Sequence, residues 1–143
     1  HQIPAAMTFE KLTNILSEQA SKADLFLLFG DQDSLNIQVN DISGMFLTFD
    51  VPDGVMNSLP PATRKYNVVL QCLDSSTYEK DRTSEFDVLI RTDLAIDRIL
   101  RSLVCAVGVE SLRIQKVQNI YDSMKSGWRA SFTVSDDIIE SHG

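Results

Sequence analysis

The sequence predicts an α+β domain: a mainly antiparallel sheet of about six or seven strands, an N-terminal helix and a second helix near residues 93–107. Two observations carry this. Apolar residues recur at helical spacing in only two stretches, and the intervening runs alternate apolar and polar residues between short turns. A third excludes the main competitor: strands and helices do not alternate regularly along the chain, as a doubly wound nucleotide-binding fold requires.

Phe9, Leu12, Ile15, Leu16, Ala20 and Ala23 form one apolar stripe, so we expect a helix over 8–22, capped by Thr8, with Glu10 in its first turn and Glu18–Lys22 as an outer ion pair. Leu25–Phe29 is apolar on both sides, like an interior strand. Gly30–Ser34 reads as a turn, and Leu35, Ile37 and Val39 then alternate with polar residues as a half-exposed strand. A second turn follows at Asp41–Gly44. Met45, Leu47, Phe49 and Val51 complete an antiparallel meander. Residues 52–65 hold three of the four prolines and form a long connection. Tyr66, Val68, Leu70 and Cys72 share one face of a fourth strand. Residues 74–84 are polar and aperiodic, a loop. Phe86, Val88 and Ile90 mark a fifth strand.

Asp93 then caps the second helix, whose stripe is Ile96, Ile99, Leu100, Leu103, Val104 and Val107, and Gly108 ends it in the left-handed conformation. Asp97–Arg101 is its outer ion pair. Leu112 and Ile114 open another strand, with a bulge where the alternation slips at Lys116–Val117. Asp122–Gly127 turns the chain into the last strand, on which Trp128, Ala130, Phe132 and Val134 share a face. The tail 136–143 is acidic and frayed.

At 143 residues the chain suits one domain, 1–143, able to bury about two-thirds of its unfolded surface without metals or disulfides. It begins at His1 rather than Met, so we expect it to be cut from a longer protein. No apolar run reaches the roughly 20 residues of a membrane span. Only Cys72 and Cys105 are present, 33 residues apart; the reading is two reduced, buried thiols in an intracellular reducing compartment, most simply the cytoplasm, with a single bridge as the alternative. A net charge of −7 repels phosphate backbones and anionic lipid, so nucleic acid and membrane insertion are disfavoured as partners.

Catalytic chemistry finds few carriers. The two histidines, His1 and His142, sit at the ends, where the sub-ångström positioning of a general base is hard to hold. Two cysteines and two terminal histidines do not build a zinc site, and no glycine-rich phosphate loop occurs, so we expect no cofactor and no nucleotide. Asp31 and Asp33 read as turn formers. They fail an EF-hand pattern, because Asn36 and Ile42 stand where a glycine and a glutamate are needed.

What remains is a non-enzymatic protein–protein interaction or assembly domain, binding another protein or a second copy of itself. The alternatives are a structural subunit of a viral or organellar particle, a secretion-type chaperone holding an extended segment, and a carboxylate- or metal-dependent enzyme using Asp31 and Asp33. Residues 91–129 carry seven basic residues against four acidic ones. Within that stretch Arg98, Arg101, Arg113, Trp128 and Arg129 are the expected partner-binding residues: arginine suits bidentate carboxylate recognition, and tryptophan suits an exposed interface anchor, although its phase with Ala130, Phe132 and Val134 also fits the core.

Overall fold

The computed structural model describes residues 8–39, 42, 44–51, 55–58, 63–75, 82–121 and 124–135. Among them are three helices and six strands, in the order α1 (Phe9–Lys22), β1 (Phe26–Phe29), α2 (Gln32–Gln38), β2 (Phe46–Asp50), β3 (Val55–Ser58), β4 (Thr63–Ser75), α3 (Arg82–Val104), β5 (Gly108–Ile120) and β6 (Lys125–Ser135). The class is α+β. The strands form one mostly antiparallel sheet in the order β1-β2-β4-β6-β5, and β3 joins β4 beyond the end of β2. Because β6 pairs antiparallel with both β4 and β5, the long α3 connects two parallel strands and β6 returns between them.

Strand register assigns every side chain to a face. Leu47 and Phe49 on β2, Tyr66, Val68, Leu70 and Cys72 on β4, and Ala130, Phe132 and Val134 on β6 point to one face, where they meet Leu12, Leu16 and Ala20 of α1 and Ile96, Ile99, Leu100 and Leu103 of α3. This is the main core. The other face carries Phe46, Thr48 and Asp50, then Val69, Gln71 and Leu73, then Arg129 and Ser131. There α2 covers one end, with Val39 packed against Phe46 and Leu73.

α1 forms as its pattern predicts. Thr8 Oγ1 accepts from the Lys11 N–H at 3.1 Å, Leu12, Leu16 and Ala20 are buried, and Lys22 pairs with Glu18 at 3.2 Å. Several other readings need correction. Residues 32–38 are helical, not a strand. Asp31 caps this helix by accepting from the Ser34 N–H at 2.9 Å, and the buried Leu35 and Val39 stand one turn apart. The chain therefore runs β1-α2-β2 as a crossover, which makes β1 and β2 parallel rather than part of a meander. β1 is an edge strand rather than an interior one.

Phe86, Val88 and Ile90 belong to α3, which runs through Asp93 without a cap there. Val88, Leu89, Thr92, Ile96, Ile99, Leu100 and Leu103 are its buried stripe, while Phe86 and Ile90 face outward. The Thr92 hydroxyl donates to the Val88 carbonyl at 2.7 Å, which lets a polar side chain sit fully inside the stripe. Finally, α3 ends in a turn at 105–107 and Gly108 opens β5 instead of adopting a positive φ. The bulge expected at Lys116–Val117 corresponds to a register shift between Val117 and Ile120, and a second shift lies between Glu110 and Arg113. The long connection at 52–65 contains β3 and the start of β4. The expected loop at 74–84 is shorter than its polar composition suggests, since Asp74 and Ser75 belong to β4 and 82–84 to α3; residues 76–81, the tail 136–143, Asp41 and both histidines lie outside the described residues.

Candidate interaction surfaces

The expected partner-binding residues do not form one site. Arg98 and Arg101 lie exposed on the outer side of α3, and the Arg101 guanidinium is bound to Asp97 at 2.8 Å, which together with that carboxylate's charge raises its pKa. Arg113 and Arg129 lie on the opposite face of the sheet, opposite Ser131 and Gln115 respectively, and so are diagonal neighbours. Trp128 points to the α3 side, half-buried, with its indole N–H donating to the Leu89 carbonyl at 2.8 Å. Of the rest of the basic stretch, Lys116 is exposed on β5, while Arg91 and Lys125 are engaged by neighbouring groups. Arg91 pairs with Asp74 at 2.7 Å. Lys125 is buried: its Nζ donates to the Ile42 carbonyl at 2.7 Å and sits 5.8 Å above the Phe46 ring, and burial lowers its pKa while Asp74 partly offsets the shift.

The two surfaces the sequence did not flag are apolar. On α3, Phe86, Ile90 and Leu94 are spaced four residues apart and are 66%, 58% and 64% exposed. Beside them lies a hollow of about 310 Å³ lined by Phe86, Leu89, Ile90, Asp93, Lys116 and Trp128, with Ile114 exposed further along the edge strand β5. The second surface is at the other edge of the sheet, where α1 and β1 flank a groove of about 560 Å³ that includes Ser17, Ala20, Phe26, Leu27 and Phe29. Phe26 there is 70% exposed. The signal for the first was present in the sequence as apolar residues left over once the buried helix stripe is assigned.

Asp31 and Asp33 serve α2 as its cap and first-turn acid. Among the described residues no three His, Cys, Asp or Glu side chains are grouped as a metal site would need. Cys72 and Cys105 are unbridged, and only Cys72 is buried; Cys105 is exposed, which corrects the expectation of two buried thiols. Burial, aided by the Asp74 charge, pushes the Cys72 thiol up to about 12. Two results follow. A thiol reagent at pH 8 is expected to label Cys105 rapidly and Cys72 only on unfolding, because the thiolate is the reactive form. Moreover, the unfolded chain releases the Cys72 proton near pH 9 while the native chain keeps it, so this thiol lowers stability as pH rises from about 9 towards 12, by at most about 1.4 kcal/mol per pH unit. Denaturant titrations of the native protein and Cys72→Ala across that window are expected to show the steeper fall in the native protein.

No helix among the described residues is long and apolar enough to cross a membrane. No family model matches the chain, and no curated protein matches it.

Proposed function

We propose that this chain is a non-enzymatic protein-interaction domain that assembles with a second copy of itself through α3. The observation that carries the reading is the Phe86–Ile90–Leu94 stripe: three large apolar side chains in a row on the solvent side of a helix whose opposite side is already fully committed to the core. With Ile114 they present on the order of 400 Å² of apolar surface, in the range of functional patches on monomers. The stripe is self-complementary. An antiparallel pairing of α3 with its copy, with Ile90 on the two-fold axis, sets each Phe86 against the other copy's Leu94. Two such stripes supply about 800 Å² of buried apolar area, and the polar rim brings the total towards the roughly 1,200–2,000 Å² of a stable interface. Trp128 floors the hollow beside the stripe, and Arg98 lies on the same helix beyond it.

The charge of −7 on each copy opposes assembly, so association should strengthen as salt screens it. Unpaired thiols support placement in a reducing intracellular compartment, and the acidic balance supports protein rather than nucleic acid or nucleotide as partner. The β1 groove favours a second reading, in which a partner's extended segment adds to the open edge of β1 as it would on a chaperone.

Sedimentation velocity tests the assembly. The native chain is expected to show a concentration-dependent dimer, and Ile90→Glu a folded monomer whose melting temperature equals that of the native chain at concentrations low enough to dissociate it, since Ile90 adds nothing to the core. A native monomer throughout the micromolar range overturns the reading.

A further inference from the structure

On the sheet face opposite α1 and α3, next to α2, lies a hollow of about 220 Å³ lined by Gly30, Leu35, Thr48, Asp50, Val69, Gln71, Tyr121 and Arg129. This is smaller than the roughly 300–1,000 Å³ that drug-sized ligands occupy, so it suits a molecule of metabolite size. Its floor is built around Gln71, which is 3% exposed. The Gln71 amide donates to Thr48 Oγ1 and to the Tyr121 hydroxyl, both at 3.0 Å, and its carbonyl oxygen accepts from Arg129 Nε at 3.0 Å. One buried amide thus fixes a guanidinium and a phenol, and its own hydrogen-bonding groups are all engaged.

Three groups are left facing the hollow. The terminal nitrogens of Arg129 meet no acceptor among the described residues, and Arg129 takes part in no ion pair there. The Tyr121 hydroxyl accepts from Gln71, and its own proton has no acceptor among those residues. Burial raises the Tyr121 pKa, which keeps that proton in place. Asp50 uses Oδ1 to accept from the Val51 N–H at 2.8 Å, leaving Oδ2 without a donor among the described residues. Tyr121 is also held at φ +64°, a left-handed conformation that is strained for a bulky residue.

The geometry points to a binding site for a zwitterionic α-amino acid with an aliphatic side chain. Arg129 and the Tyr121 hydroxyl take its carboxylate, Asp50 takes its ammonium, and Leu35 and Val69 form the apolar wall. A simple anion satisfies the two donors but is repelled by Asp50, and a simple cation is repelled by Arg129. Asp50 and Arg129 lie on β2 and β6, with β4 between them and their register partners Val69 and Gln71 two residues apart. That lattice puts their Cα atoms about 12 Å apart, which leaves room between the two charged tips for one small molecule. This site lies on the face away from the α3 stripe, so it stands or falls independently of the assembly.

Calorimetric titration of the full chain with L-leucine tests the proposal. Saturable binding with a Kd of about 1 mM or tighter is expected. 4-Methylpentanoate, which lacks the ammonium, and 3-methylbutylamine, which lacks the carboxylate, should each bind at least about tenfold more weakly, because each leaves a charged group of the site unpaired. Arg129→Gln should lose leucine binding, and Asp50→Asn should narrow the gap between leucine and 4-methylpentanoate. Tyr121→Phe, which keeps the ring, should weaken leucine at least about threefold. The three wild-type titrations decide the matter even if a variant fails to fold. No saturable heat with leucine overturns the site, and so does equal binding of leucine and either single-charge analogue.

Discussion

Adding one methyl group at Gly127 is expected to abolish folding or to cost about 3 kcal/mol or more. Gly127 stands opposite Leu73 in the β4–β6 ladder, on the face covered by neither α1 nor α3. A Cβ there would strike the Cys72 carbonyl oxygen and come within 3.0 Å of the Cys72 carbonyl carbon and Leu73 Cα. All three atoms are backbone, so no side chain can swing aside. The two central strands would have to separate at the point where they hold the sheet together. A urea titration of Gly127→Ala followed by circular dichroism measures the loss. Gly44→Ala is the control: its φ of +89° makes alanine unfavourable, but nothing lies within 4 Å of the added carbon, and a cost of about 1 kcal/mol is expected.

Phe49→Ala is expected to cost about 3–5 kcal/mol. Its ring is 1% exposed and stands where three elements meet. It stacks on Phe9 of α1 at 6.1 Å and meets Phe29 of β1 edge-on at 5.6 Å, and Phe9 in turn lies 6.3 Å from the Tyr66 ring. Truncation leaves a cavity that none of these neighbours can fill without moving its own element. The loss should appear as a lower denaturation midpoint with an unchanged slope. A cost under about 1 kcal/mol would show that α1 and β1 are not anchored at this ring.

The parts of the fold legible in the sequence are those where only one period fits. α1 is such a case, with its cap, stripe and ion pair all pointing one way, and so are the long strands around Leu70 and Phe132. The misreadings occur where two periods fit the same residues. Leu35 and Val39 are four apart, a spacing shared by a helix and by every second strand position, and Ile37 between them completed a false alternation although it is largely exposed. The deciding clue was Asp31, whose side chain caps rather than turns.

The N-terminal half of α3 failed for a more instructive reason. Phe86, Val88 and Ile90 recur at every second position, as one face of a strand would, but Phe86 and Ile90 lie on the solvent side of a helix whose buried stripe includes Val88, Leu89 and Thr92. Apolar residues that folding does not need disguised the helical period, and those same residues form the proposed interface. Local rules fail here because surface chemistry and core patterning compete for the same positions. The hollow around Gln71 was illegible for a different reason. Thr48, Gln71 and Arg129 converge only through the strand order β2-β4-β6, and Tyr121 joins them from the turn after β5, an arrangement that no local pattern contains.

The most direct measurement of the assembly is cross-linking at its axis. In a Cys105→Ser background the remaining native thiol, Cys72, is buried and unreactive. Paired helices lie about 8–10 Å apart, so two residues on the two-fold axis fall within the Cα separation of about 4.4–6.8 Å that a disulfide spans. Ile90→Cys in this background should oxidise under mild conditions to a covalent dimer in high yield. Ser102→Cys, also exposed but on another side of α3, should remain largely monomeric. If Ile90→Cys forms no more covalent dimer than Ser102→Cys, the two copies do not meet along the Phe86–Ile90–Leu94 stripe, and the account of α3 as the assembly surface is wrong.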